Sequence, residues 1–167
     1  MEVPCKENLD STHILESLAS HPWAHIACHG VLTKFPFDSH FKLSGQSTLR
    51  VIDIMTAHLR DAELAFLSAC HSAAGDKEKN HDEVVHLAAA MHFSGFKSVI
   101  GTLWGMADED GPIVSKAFYK AMLKFAGGDV AKLDYRNSAK ALHIVVRVLR
   151  KNGVPVDRWV NYVHIGA

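Results

Sequence analysis

Short apolar segments alternate with longer segments of helical periodicity along most of this chain. Residues 23–28, 64–69 and 98–104 are apolar on both faces and rich in strand-forming residues, and a terminal strand is predicted over 158–165. Helices are predicted between them, over residues 9–20, 51–59, 83–93, 112–125 and 138–150. Strands joined by helices of this length require right-handed crossovers. The pattern therefore predicts an α/β fold, a three-layer sandwich with a mainly parallel sheet between helices.

Length and composition restrict the classes of partner. The 167 residues suit one domain, and 18 Lys and Arg balance 18 Asp and Glu, which argues against a nucleic-acid partner. No apolar run approaches the roughly 20 residues that span a bilayer, so no membrane partner is predicted. The N-terminus lacks a secretory pattern, and the three cysteines form no disulfide framework. A reducing cytoplasm is therefore predicted, and no motif indicates a cofactor.

Two of the apolar strands end in reactive side chains. His29 follows the strand over 23–28, and Cys70 follows the strand over 64–69. Because the carboxyl ends of parallel strands share one edge of a sheet, a base and a nucleophile would meet there. Gly30 follows the histidine, where its N–H group would be open to a substrate oxyanion. A buried structural cysteine and a structural histidine remain the alternative, because spacing alone does not separate the two readings.

Histidines are numerous, with 12 in the chain, and three of them recur at intervals of four residues. These are His21, His25 and His29, a spacing that would form a metal site on a helix. On a strand, four residues span about 13 Å, which is too far for ligands that lie about 2.1 Å from one ion. No metal site is therefore predicted.

Three motifs follow one another along the chain and carry a family resemblance. They are Cys-His-Gly at 28–30, Leu-Ser-Ala-Cys at 67–70, and the segment 95–104 with Asp108 after it. In this order, and with residues 159–166 as a last strand, they resemble the CHAT domain family of the caspase and separase group of cysteine peptidases. The resemblance covers residues 9–166, and the sequence after Asp108 is similar to versions in fungal multidomain proteins.

The resemblance implies a caspase-like sandwich and a cysteine endopeptidase that hydrolyses protein or peptide substrates through a thioester. It also implies a role in regulated proteolysis or cell-death-type signalling. In this reading His29 is the general base and Cys70 the nucleophile, while the backbone N–H groups of Gly30 and Cys70 hold the oxyanion. Trp104 and Asp108 would bind substrate, with Asp108 favouring Lys or Arg. Asp108 as an N-cap or loop carboxylate of the helix from residue 112 is an equal alternative. A catalytically silent scaffold or interaction module that keeps the fold is the alternative function.

The resemblance begins near the family's second strand. A caspase-like sheet without its first strand would leave the apolar strand over 23–28 with a bare edge, which favours self-association. The chain is therefore expected to be the C-terminal portion of a longer protein, or an N-terminally truncated sequence. An upstream regulatory domain is the partner that this reading implies.

Overall fold

The computed structural model describes residues 10–31, 33, 35–68, 70–71 and 84–167; for residues 36, 70, 71 and 84–86 it describes the backbone alone. The helices are α1 (Ser11–Ser20), α2 (Val51–Thr56), α3 (Val84–Ser94), α4 (Asp110–Phe125), α5 (Ser138–Lys151) and α6 (Val156–Trp159). The strands are β1 (Trp23–Ile26), β2 (His29–Val31), β3 (His40–Lys42), β4 (Thr48–Arg50), β5 (Leu64–Leu67), β6 (Cys70–His71), β7 (Ser98–Thr102) and β8 (Tyr162–Gly166). α1 begins after Asp10, whose carboxylate accepts a hydrogen bond from the N–H group of His13.

The main sheet has the strand order β1-β5-β7-β8. β1 pairs with β5 and β5 with β7 in parallel, whereas β8 runs antiparallel to β7. Among the described residues β1 lies at the edge of this sheet. Residues 1–9 lie outside the described part, so the expectation of a missing first strand stays a prediction.

Helices cover both faces of the main sheet. Along β5, Ala65 and Leu67 pack into a core with side chains of α1, α2 and α3. The alternate residues Leu64 and Phe66 pack into a second core with side chains of α4 and α5. This alternation is the period of two that a strand imposes. The predicted three-layer sandwich with a mainly parallel sheet is confirmed.

A second, smaller sheet continues from the ends of β1 and β5. Its strand order is β4-β3-β2-β6, and β2 pairs in parallel with β6 and antiparallel with β3. The sequence places His29 and Cys70 one residue beyond two strands of a single sheet, and this detail is wrong. β1 ends at Ile26 and β5 at Leu67, and the chain then crosses into the second sheet. A strand of three residues, such as β2, is too short to show a hydrophobic period.

The predicted terminal strand over residues 158–165 begins later than expected. Arg158 belongs to α6, Asn161 follows that helix, and β8 begins at Tyr162. The physical reason is that both polar side chains make hydrogen bonds to groups at the start of α4 and after β7, which an extended strand would not direct there.

Gly95 directly follows the last residue of α3. Its φ of 128° lies in a region that side chains disfavour, and a Cβ atom there would stand 2.1 Å from the backbone oxygen of Leu59. The neighbouring carbonyl of Ser94 accepts a 2.7 Å hydrogen bond from the N–H group of Leu59. Glycine thus permits a close backbone contact between the end of α3 and the segment after α2.

Candidate active site

A cleft of about 500 Å³ lies at the carboxyl ends of β1 and β5. The strand ends contribute His25, Cys28, His29 and Ser68 to its wall. Asp108 and the first turns of α4 form the opposite side. The position agrees with the general rule that parallel sheets bind ligands beyond the carboxyl ends of their strands.

His29 and Cys70 occupy matching positions on neighbouring strands. They are Cα partners in the parallel pairing of β2 with β6, so their backbones lie about 4.8 Å apart, the spacing of paired strands. His29 is exposed and lines the cleft. Gly30, the next residue, is buried in the strand that runs between β3 and β6. The fold therefore brings together two residues that are 41 positions apart in the chain.

Asp108 and Trp104 differ in their relation to the cleft. Asp108 is exposed and lines it. Asp108 does not cap α4, because the helix begins at Asp110 and its N-cap residue is Glu109. Asp108 lies in the turn before the helix, so its alternative role as a loop carboxylate stays open. Trp104 does not belong to the described residues that line the cleft. Its indole N–H group donates a hydrogen bond of 3.2 Å to the carbonyl oxygen of Asp157.

Asn161 holds the segment that leads from β7 to Asp108. Its Oδ1 atom accepts hydrogen bonds of 2.8 Å from the N–H groups of both Leu103 and Trp104. Its Nδ2 atom donates a 3.0 Å hydrogen bond to the carbonyl oxygen of Trp104. The side chain of Asn161 is buried, with 1% of the residue exposed. Burying an amide without hydrogen bonds destabilises the fold, and these contacts supply the bonds.

An ion pair between a buried carboxylate and a partly exposed guanidinium fixes the other end of the same segment. The guanidinium of Arg158 donates two hydrogen bonds to the carboxylate of Asp110, at 2.8 and 2.6 Å. The same guanidinium lies 2.6 Å from the exposed carboxylate of Glu109. Hydrogen bonding to Asp110, with the charges of Asp110 and Glu109, raises the pKa of Arg158. Arg158 and Asn161 therefore hold both ends of the segment that carries Asp108.

His25 and Ser68 form a polar pair on the cleft wall. The Nε2 atom of His25 lies 3.0 Å from the Oγ atom of Ser68. The imidazole packs edge-on against Phe66, with ring centres 4.9 Å apart, and lies 5.6 Å from the ring of Tyr119. Burial of the packed part of the ring lowers the pKa of His25.

Sequence reasoning missed His25, Ser68, Arg158 and Asn161 as parts of this site. The spacing of His25 indicates at most a metal ligand, and the pattern around Arg158 and Asn161 predicts only a strand. Ser68 lies in the Leu-Ser-Ala-Cys motif, which was the one local signal available. In the part of the chain that the structure describes, His, Cys, Asp and Glu side chains do not gather in a group of three that could hold a metal ion.

Comparison with known protein families shows to which family the chain belongs. The family model described as the CHAT domain matches residues 1–167. The chain belongs to the CHAT domain family. CHAT domains are related to the caspase-like cysteine peptidases. A search of curated proteins finds no match. Within the described residues of this CHAT domain, no helix is long and apolar enough to cross a membrane.

Proposed function

We propose that this CHAT domain is a cysteine endopeptidase in which His29 is the general base and Cys70 the nucleophile. The observation that supports this most strongly is the direct pairing of the two residues across β2 and β6, with His29 exposed in the cleft. Thiol-based hydrolysis needs a base within reach of the thiol, and residues paired on neighbouring strands are close enough for their side chains to meet.

The reaction follows from these two groups. His29 takes the proton of the Cys70 thiol, and the thiolate attacks the carbonyl carbon of the scissile peptide bond. The N–H groups of Gly30 and Cys70 are the proposed donors to the oxyanion. The protonated imidazole gives its proton to the leaving amine, and the C–N bond breaks to leave a thioester. Water, deprotonated by His29, then hydrolyses the thioester and regenerates the thiol.

The proposed substrate has Lys or Arg before the scissile bond. Asp108 is an exposed carboxylate in the cleft wall, with Ser115 of α4 in the same wall, and a charge-assisted hydrogen bond would hold a basic side chain there. Trp104 would not contact the substrate within the cleft. It would instead support the chain segment before Asp108. We further propose that the cleavage serves regulated proteolysis in the cytoplasm, under an upstream regulatory domain.

Asp108→Asn is expected to lower kcat/KM for substrates with Arg before the scissile bond by about 10- to 100-fold, because a hydrogen bond to a charged group contributes roughly 1.5–3 kcal/mol. Uncharged substrates should change little. Glu109→Gln is the matched control, since Glu109 is the next carboxylate along the chain and lies 2.6 Å from Arg158. A peptide library that prefers acidic residues at that subsite in the unmodified protein would rule out this specificity.

Cys70→Ala is expected to abolish cleavage of an Arg-containing peptide, whereas Cys28→Ala is expected to retain it. Cys28 is a suitable control because it is a second thiol in the wall of the same cleft. Cleavage is followed by release of a fluorescent leaving group. Undiminished cleavage by Cys70→Ala would contradict the proposed function and favour a scaffold role for the domain.

A further inference from the structure

Two chain segments pass from the main sheet to the second sheet just before His29 and Cys70. The ladder between β1 and β5 ends with the pair Ile26 and Leu67, and the ladder between β2 and β6 begins with the pair His29 and Cys70. Between these two pairs each segment leaves one sheet and enters the other. The relative position of His29 and Cys70 therefore depends on what joins the two segments inside this gap.

Ser68 makes two contacts across that gap. Its backbone N–H group donates a 2.8 Å hydrogen bond to the carbonyl oxygen of Ile26. Its hydroxyl lies 3.0 Å from the Nε2 atom of His25. Both partners belong to β1, so Ser68 is joined to the strand that leads to His29 while lying two residues before Cys70.

Two aromatic rings contact the imidazole of His25, which is an exposed residue of β1. Phe66 of β5 contacts it edge-on at 4.9 Å between ring centres, and Tyr119 of α4 lies at 5.6 Å. Burial raises the pKa of Tyr119 to about 12, so that ring is uncharged at neutral pH. Burial also lowers the pKa of His25, which favours a neutral imidazole at pH 7. The other ionisable groups described in the cleft wall are His29, Asp108 and the thiol of Cys28.

We propose that His25 and Ser68 are a positioning pair that sets the approach of Cys70 to His29. The inference rests on the proposed function, and neither residue is assigned contact with the reacting atoms. The packed ring directs Nε2 at Ser68, the serine holds the segment before Cys70 against β1, and the base and nucleophile are thereby aligned. A displacement of about 1 Å in such a pair costs on the order of a hundredfold in rate.

The test uses inactivation kinetics with a peptidyl acyloxymethyl ketone that carries Arg next to the reactive group. His25→Phe keeps an aromatic ring against Phe66 and Tyr119 but loses the hydrogen bond to Ser68, and Ser68→Ala removes the hydroxyl. Each is expected to lower the maximal inactivation rate by roughly 100-fold, with the half-saturating concentration little changed. Because the two residues act as one unit, the double variant should be no slower than either single variant.

The His25→Gln variant separates a positioning role of His25 from a role as a base. A glutamine amide reaches the position of Nε2 and keeps the hydrogen bond to Ser68, yet it cannot act as a base. It is expected to restore the maximal rate to within a few-fold of the unmodified protein. His21→Phe is the matched control, because His21 bonds to Ser17 and Ser20 at the end of α1 and is expected to leave the rate unchanged.

Three results would overturn the proposal. They are an unchanged maximal rate in His25→Phe or Ser68→Ala, a change confined to the half-saturating concentration, and a His25→Gln variant as slow as His25→Phe.

Amide hydrogen exchange of Ser68 gives a second measurement that needs no reactive thiol. Exchange should be roughly fivefold faster in His25→Phe and unchanged in His25→Gln, since a net hydrogen bond contributes about 1 kcal/mol. If the probe fails to modify Cys70 in the unmodified protein, the proposed function fails, while exchange still decides the role of the pair.

Discussion

Arg158→Leu is expected to lower the Tm of this domain by roughly 10 °C. The partner of Arg158 is Asp110, which is 1% exposed at the first residue of α4. Without the guanidinium, the carboxylate would stay buried with neither of the hydrogen bonds that Arg158 donates at 2.8 and 2.6 Å. An unpaired buried charge is among the most destabilising results of a single substitution, so the loss of thermal stability should be large.

Two further variants show whether burial is the cause. In Arg158→Leu with Asp110→Leu, no charge is left unpaired, and part of the lost stability should return. Arg50→Leu breaks another two-bond pair, with Asp53 at 3.0 and 2.8 Å, but Arg50 is exposed. That control should change the Tm by no more than about 3 °C. Equal effects of Arg158→Leu and Arg50→Leu on the Tm would show that burial of the Asp110 carboxylate is not the cause, and would contradict the prediction.

His29→Ala and Cys70→Ala are each expected to lower kcat/KM by at least about 1,000-fold, and the double variant should be no worse than Cys70→Ala. The reason is that both residues serve the same step. Without the base the thiol is not activated, and without the thiol the base has no nucleophile to activate. Cleavage of an Arg-containing peptide measures the effect. His143→Ala is the control, because His143 is an exposed histidine of α5 outside the cleft.

Additive losses in the double variant would mean that His29 and Cys70 act in different steps. A His29→Ala variant with full activity would remove this residue as the base and direct attention to His25, the other imidazole of the cleft wall. Either result is decided by the same assay, provided that the thermal stability of each variant matches that of the unmodified protein.

The main sheet could be predicted because its strands carry a strong local signal. β5 and β7 are buried at every position, and such continuously apolar strands between helices are typical of a parallel sheet. The family resemblance implies His29 and Cys70 as the candidate pair, and the pairing of β2 with β6 places their backbones side by side. Asp108 lines the cleft, and its role in binding substrate stays a prediction.

The rest of the site depends on contacts between distant parts of the chain. Arg158 and Asp110 are 48 positions apart, Asn161 and Leu103 are 58 apart, and His25 and Ser68 are 43 apart. No local period or motif reports such pairings. The second sheet was missed for a related reason, since its strands are two or three residues long and are stabilised by their neighbours rather than by their own propensity.

The most direct test of the His29–Cys70 pair is the pH dependence of Cys70 alkylation by iodoacetamide, with each modified cysteine identified by peptide mass. A free cysteine is half ionised near pH 8.5, and a neighbouring imidazole favours the thiolate at lower pH. The account predicts half-maximal alkylation of Cys70 at least about one pH unit below 8.5 in the unmodified protein, and a return towards 8.5 in His29→Gln. The same half-maximal pH for Cys70 in both proteins would contradict it.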